Sequence, residues 1–251
     1  MMKKTWGMLL GILICFTANL HLTAASNDGA DILKKSDDLT FPDKARFSFR
    51  MEDYENQQLR RYYLYYGYMK GNDRYLLVGL EPALVKGTAS MRIDDAIFNY
   101  LKKIDVLQQV SAKVAFGNST LSQEDVMGGK LGNYYHAESL ETIRENGQDL
   151  AVLTLIANST TVAYQKIVNY VDPARYFPVK RQYYAFSGQQ VREMIFEDVQ
   201  VKDSRLALMK FTMYDTLRKG WFTKATLSDF DYSKEVPDAV FTRMYLKLAT
   251  K

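Results

Sequence analysis

The chain has 251 residues, with 33 Lys and Arg against 29 Asp and Glu and a formal net charge of +4. So slight an excess gives no case for nucleic-acid binding, which shows as a clustered basic face. One cysteine, Cys15, and two histidines are too few for a Cys/His zinc site, and a lone cysteine forms no disulfide within the chain.

The N-terminus reads as a secretory signal peptide. Lys3 and Lys4 supply the positive end, Trp6 to about Phe16 the apolar stretch, and Thr23-Ala24-Ala25 the small residues before a cleavage site. Cleavage is expected after Ala25, leaving one domain, residues 26–251, in the periplasm. A spanning helix needs about 20 apolar residues, and Asn19 and His21 interrupt the run well short of that. A lipid-attachment site wants small residues before its cysteine, whereas Leu13 and Ile14 precede Cys15.

All 18 tyrosines lie after residue 25, and aromatic residues favour strands. A short helix is expected first, capped by Asp28 or Asp31, packing Ile32, Leu33 and Leu39 inward and ending at Phe41-Pro42. From there apolar residues recur with a period of two. Phe47, Phe49 and Met51 alternate with Arg46, Ser48 and Arg50; runs follow at 60–70, 75–80, 88–93, 96–100 and 106–110. Gly71-Asn72-Asp73 and Asp94-Asp95 are turn chemistry at hairpin spacing.

The alternation breaks between Phe116 and Gly132. Ser122-Gln123-Glu124-Asp125 is a capping signal for a short helix that Gly128-Gly129 would stop. Strands resume at 134–145 and 149–157 around Asn146-Gly147, then at 164–171, 179–186, 190–197, 206–214 and 221–230. A last short strand is expected to run through Leu246. The reading is a mainly β protein of about eleven antiparallel strands, curled because a sheet of that size twists strongly. The short helices are then available to cover its concave face.

No nucleophile elbow, P-loop or dinucleotide fingerprint is present. His136 is the one histidine after residue 25 and reads as a strand residue; Asp229 and Asp231 read as a solvated strand edge. The Asn118-Ser119-Thr120 and Asn158-Ser159-Thr160 sequons read as polar turns. These observations argue against an enzyme and imply no cofactor or metal. The segment Arg60–Lys70 stands apart. Tyr62, Leu64, Tyr66 and Tyr68 share one face and Tyr63, Tyr65 and Met69 the other, so the strand lies in a sandwich or presents one face to a ligand or partner.

Taken in order, several stretches resemble the outer-membrane lipoprotein-sorting family, the LolA-like group. They are Asp31-Ile32-Leu33 to Phe41-Pro42; Arg74-Tyr75-Leu76-Leu77 to Pro82 and Lys86-Gly87-Thr88-Ala89; Phe98-Asn99-Tyr100-Leu101; and Phe116-Gly117 through Glu124-Asp125. Tyr164 to Val168, Val171-Asp172, Phe177 to Lys180 and Pro237-Asp238 with Phe241-Thr242 complete the set. The resemblance implies an unclosed half-barrel with helices as a lid over an apolar cavity. It implies a periplasmic carrier that binds lipoprotein acyl chains or related lipids and delivers them towards the outer membrane. Its partners would be an acylated lipoprotein or lipid, an inner-membrane transporter or exporter, and an outer-membrane acceptor. The alternatives are a lipid- or lipoprotein-sensing module and an accessory protein of a resistance-nodulation-type exporter. The cavity candidates are Phe47, Phe49, Met51, Leu64, Leu76, Val78, Leu80, Met91, Ile93, Phe98 and Tyr100, one parity within each strand. Alternation leaves open which face is concave.

Overall fold

The computed structural model describes residues 20–249 other than 72, with backbone only for 20–27, 248 and 249. Most of the expected signal segment therefore lies outside the described residues. Among those described, no helix is long and apolar enough to cross a membrane.

Thirteen strands form one sheet. They are β1 (Lys44–Glu55), β2 (Gln58–Lys70), β3 (Arg74–Glu81), β4 (Thr88–Ile93), β5 (Ala96–Leu101), β6 (Val106–Val110), β7 (Tyr135–Glu145) and β8 (Gln148–Ala157), then β9 (Lys166–Val171), β10 (Pro178–Tyr184), β11 (Gln190–Lys202), β12 (Arg205–Asp215) and β13 (Trp221–Asp231). The spatial order is β6-β5-β4-β3-β2-β1-β13-β12-β11-β10-β9-β8-β7, with every pairing antiparallel. The sheet does not close: β6 and β7 remain its two edges. The thirteen alternating runs read from the sequence before the C-terminal segment each make a strand, so the total exceeds the expected eleven or so. Two-residue turns at Asn56-Gln57, Asn146-Gly147 and Asp203-Ser204 have both central residues at positive φ, the conformation that matches strand twist. Register shifts in β1, β2, β7, β10 and β11 mark bulges, which bend and twist the ribbon further.

Three helices accompany the sheet. Helix α1 (Leu20–Thr40) is longer than expected, so Asp28 and Asp31 lie inside it rather than at its cap. It ends before Phe41-Pro42, where proline restricts the preceding backbone. It sits against β7, with Gly29 close enough that an added Cβ would fall 3.3 Å from Ala137 Cβ and from Leu153 Cδ2. Helix α2 (Gln123–Met127) has the capping box anticipated at Ser122 and Asp125. Gly128 ends it, and a Cβ there would meet the Glu124 carbonyl oxygen at 2.2 Å.

The chain does not finish as a strand. A 3-10 turn at Asp238–Phe241 leads into α3 (Arg243–Ala249), whose start is capped by Thr242 accepting the Tyr245 N–H at 3.2 Å. The expected strand through Leu246 is thus corrected. Val240 and Phe241 from the turn and Leu246 from α3 bury together against the outer side of the sheet, and both sheet edges lie elsewhere.

Two apolar clusters result. The larger lies on the inner, concave side of the sheet under α1, α2 and their connecting segments, and the smaller lies on the outer side of β2–β5 under the C-terminal segment.

Candidate functional site

The inner face can be followed strand by strand through the register. Phe49 and Met51 on β1 oppose Tyr65 and Tyr63 on β2, and Leu227 and Ala225 on β13. The row continues through Met209 and Phe211, and through Met213 to Met194, to Arg181 and Asn169, and to Leu153 beside β7. In the other direction Met69 opposes Tyr75, and Gly67 opposes Leu77. Gly67 is required there: a Cβ would sit 2.2 Å from Phe47 Cζ, so the missing side chain makes room for the Phe47 ring.

The segment from Ser111 to Tyr134 joins the two edge strands across the open side of the half-barrel. It is held by polar bonds from strands on both flanks. Tyr63 donates to Gly117 O at 3.1 Å, and Arg192 Nε to Thr120 O at 3.0 Å. Thr120 Oγ1 pairs with Thr223 Oγ1 at 2.8 Å, and Thr223 donates to Asp53 Oδ1 at 2.7 Å. Tyr135 donates to Glu124 and Tyr164 to Asp125, both at 2.8 Å. Arg92 donates to Met127 O at 3.2 Å and to the Tyr134 hydroxyl. Helix α1 is tied to this segment where Gly132 N donates to Asp37 Oδ2 at 2.8 Å and Lys130 pairs with Asp38 at 2.6 Å.

Beneath this cover lie two voids of about 50 Å³ each. One is lined by Phe49, Tyr75, Met194, Phe196, Met209, Phe211 and Leu227; the other by Phe41, Tyr134, Tyr164, Ile167, Tyr183 and Met194. Asp125 and Arg181 border both. A wider cleft of about 410 Å³ opens in the seam between the sheet edges, lined by Arg92, Ile97, Lys113, Glu124, Tyr134 and Val162 among others. Glu124 and Tyr134 border both the cleft and the second void.

The charged groups here are buried ones. Burial raises the Asp37 carboxyl to about 6, partly offset by the Gly132 N–H and by Arg181. Burial likewise raises Glu124 and Asp125, against the hydrogen bonds they accept from Ala163 and Ser122. Asp53 is raised by burial too, and its Oδ2 has no partner. Arg181 donates to Asn169 Oδ1 at 3.1 Å, and its guanidinium lies over the Phe196 ring.

The eleven sequence-predicted cavity residues do not come together. Phe47, Phe49 and Met51 belong to the inner cluster. Leu76, Val78, Met91 and Tyr100, with Ile93 and Phe98, belong to the outer cluster under Val236, Val240, Phe241 and Leu246. Leu80 is exposed, and Leu64 lines an outer groove with Arg50 and Tyr62. The split has one cause. Across the Asn56-Gln57 turn a regular register would set Phe49 opposite Leu64. A bulge between Asp53 and Tyr54 sets it opposite Tyr65 instead. A one-residue shift exchanges the two faces. Leu64, Leu76, Val78, Met91, Phe98 and Tyr100 share a face with one another, but that face is the outer one.

Sequence reasoning missed Tyr65, Tyr75 and Leu77 for this reason, and missed the whole second flank of Met194, Met209, Phe211 and Leu227. Gly67 and Gly79 carry a usable signal. Both glycines share the parity of Tyr65, and a side chain at either would collide, with Phe47 and with Val85 O respectively.

His136 is exposed, with Nδ1 2.8 Å from Asn158 Oδ1. Among the described residues no three His, Cys, Asp or Glu side chains are grouped to hold a metal ion.

An unclosed antiparallel half-barrel whose concave face is covered by a helix and an edge-to-edge strap is the LolA-like fold. A LolA superfamily protein from Nitrosomonas europaea superimposes with a TM-score of 0.78 at 22% identity, covering 86% of this chain and 98% of that one. A DUF1329 family protein from Desulfovibrio piger gives 0.79 at 20%, covering 88% and 99%. A putative outer membrane lipoprotein-sorting protein domain from Vibrio parahaemolyticus gives 0.77 at 22%, also covering 88% and 99%. A search of curated proteins finds no match. A family model described as that of an uncharacterized protein matches residues 71–248, and the chain belongs to that family.

Proposed function

We propose that this protein is an exported, periplasmic, non-enzymatic carrier that shields an acyl chain or related lipid on the concave face of its half-barrel. The observation that carries this reading is the covered inner face itself: methionine and aromatic side chains from both flanks, with unfilled space among Phe49, Met194, Met209, Phe211 and Leu227. Methionine adapts its shape to a flexible chain. Exposing an acyl chain to water costs about 0.8 kcal/mol per CH₂, so shielding a chain of about 16 carbons is favourable by on the order of 10 kcal/mol.

A void of 50 Å³ holds about one or two waters at roughly 30 Å³ each, not an acyl chain. Loading therefore requires the Ser111–Tyr134 strap or α1 to move off the sheet. The strap suits this, because polar bonds secure it at its flanks while the apolar surface stays on the strands. The signal peptide, cleavage after Ala25 and an export route through an inner-membrane donor and outer-membrane acceptor belong to the same proposal. The lipid-facing residues are Phe47, Phe49 and Met51 with Tyr65, Tyr75, Met194, Met209, Phe211 and Leu227.

Binding of a fluorescent fatty acid and of a triacylated peptide tests it, beside native mass spectrometry of protein taken from its own periplasm. Met209→Trp, which fills the void, is expected to lower probe affinity at least tenfold with the fold retained. Failure of both probes to bind, with no lipid or acylated protein co-purifying, refutes the reading.

A further inference from the structure

Alternate connections of an antiparallel sheet fall at opposite ends of its strands. One end carries the connections 71–73, 94–95, 146–147, 172–177 and 203–204. The other carries 56–57, 82–87, 102–105, 158–165, 185–189 and 216–220. The two ends differ in charge. The first set of connections holds Asp73, Asp94, Asp95, Asp172 and Asp203 against a single base, Arg175. The second holds Lys86, Lys102, Lys103, Arg218 and Lys219 against a single acid, Asp105, which is itself paired with Lys247 at 2.6 Å, while Arg218 pairs with Asp215 at the end of β12 at 2.7 Å.

The ends differ in apolar exposure in the same sense. Large apolar side chains left exposed gather in or beside the basic connections: Leu84 is 72% exposed, Ile104 65%, and Leu59 and Leu217 53% each; Met244, on α3, and Val114, in the strap, are exceptions. None lies in a connection at the acidic end. The basic connections are bound to one another in pairs. Lys102 N donates to Gly87 O at 3.3 Å, and Asn56 N to Gly220 O at 2.9 Å. Leu84 and Ile104 thus stand on joined turns, as do the Asn56-Gln57 turn and Leu217.

We propose that this end of the half-barrel is a docking surface for an anionic lipid bilayer. Apolar tips enter the headgroup region while the interleaved lysines, Lys86, Lys103 and Lys219 among them, face lipid phosphates, the pairing of apolar insertion and basic attraction that gives reversible peripheral binding. The acidic connections at the opposite end are repelled and favour this orientation. A second copy of the chain is a poorer occupant, since the same basic end would face itself. The proposal needs no lipid in the cavity and stands apart from the carrier reading.

The test is co-sedimentation of the purified protein with vesicles of phosphatidylethanolamine and phosphatidylglycerol, against vesicles of phosphatidylcholine alone, at low and high salt. Binding is expected to the anionic vesicles and to weaken with salt. Leu84→Ser with Ile104→Ser is expected to weaken it at least tenfold. Lys103→Glu with Lys219→Glu is expected to do the same, at about fivefold or more for each basic residue lost. Thermal unfolding checks that both variants fold. Met209→Trp, which fills the cavity, is expected to leave vesicle binding unchanged. Equal binding to both vesicle types, undiminished binding by both double variants, or a concentration-dependent dimer that the Leu84 and Ile104 substitutions dissolve would overturn the proposal.

Discussion

Asp37 lies on the inward side of α1, buried, where its Oδ2 accepts the Gly132 N–H and fastens the helix to the strap. Burial moves its carboxyl from 3.8 to about 6. The folded state therefore holds this proton more tightly than the unfolded chain does. Above pH 6 both states are ionised, and the fold bears the full cost of a buried charge. Between pH 6 and 4 the folded state alone is protonated and the cost falls away; below pH 4 it is gone. At 1.36 kcal/mol per unit the cost at neutral pH is about 3 kcal/mol. Asp37→Asn keeps an acceptor for Gly132 and removes the charge. The variant should exceed the wild type in stability at pH 7.5 by about 3 kcal/mol, since the Gly132 hydrogen bond to the charged carboxyl is already contained in that net cost. That advantage should vanish towards pH 4. Urea unfolding of both proteins across pH 4–8 measures it. Other acids titrate in both, so only the difference between the two curves counts. A difference that stays flat with pH, or that grows as pH falls, refutes the reasoning.

Gly67→Ala should destabilise the fold by about 1–3 kcal/mol, because its Cβ would drive into the Phe47 ring and the packed sheet has little room to yield; chemical denaturation reads this directly. Thr120→Val removes the hydroxyl's bonds to Thr223 Oγ1 and to Met213 O, while Thr223 keeps Asp53 and the Thr120 N–H, and should cost about 1–3 kcal/mol. If the strap moves as a unit, hydrogen exchange should also quicken across Phe116–Met127 before the strands respond. Phe241→Ala uncovers the outer cluster and should cost about 3–5 kcal/mol, while leaving probe binding at the inner face unchanged in the protein that remains folded.

Much of the architecture was legible from residue order. Period-two alternation located the strands because each side of a pleated sheet meets a different medium. Asn146-Gly147 marked its hairpin because both positions require positive φ. Ser122 and Asp125 marked α2 because a capping box satisfies otherwise unpaired N–H groups. The C-terminus misled because Val240, Phe241 and Leu246 are apolar enough for either a strand or a helical segment. The cluster they join, Leu76, Val78, Met91 and Tyr100, is remote in sequence.

The site was legible only in part, and the limit is geometric. Composition and alternation determined by themselves that this is a β-rich chain with too few soft ligands for a Cys/His zinc centre and with apolar residues on both faces of β2 and β3. They could not decide which face is concave. Tyr65 and Leu64 are equally credible lining residues until the bulge opposite Asp53 and Tyr54, where Arg60 is the extra residue of β2, is known from the strand pairing. Nor could they assemble Phe49, Met194, Phe211 and Leu227 into one surface, since those residues meet only where β1 pairs with β13. The residues needed for an apolar interior were present in the linear order; the curl, one extra residue in a strand, and the strap between the two edges decided which of them face it.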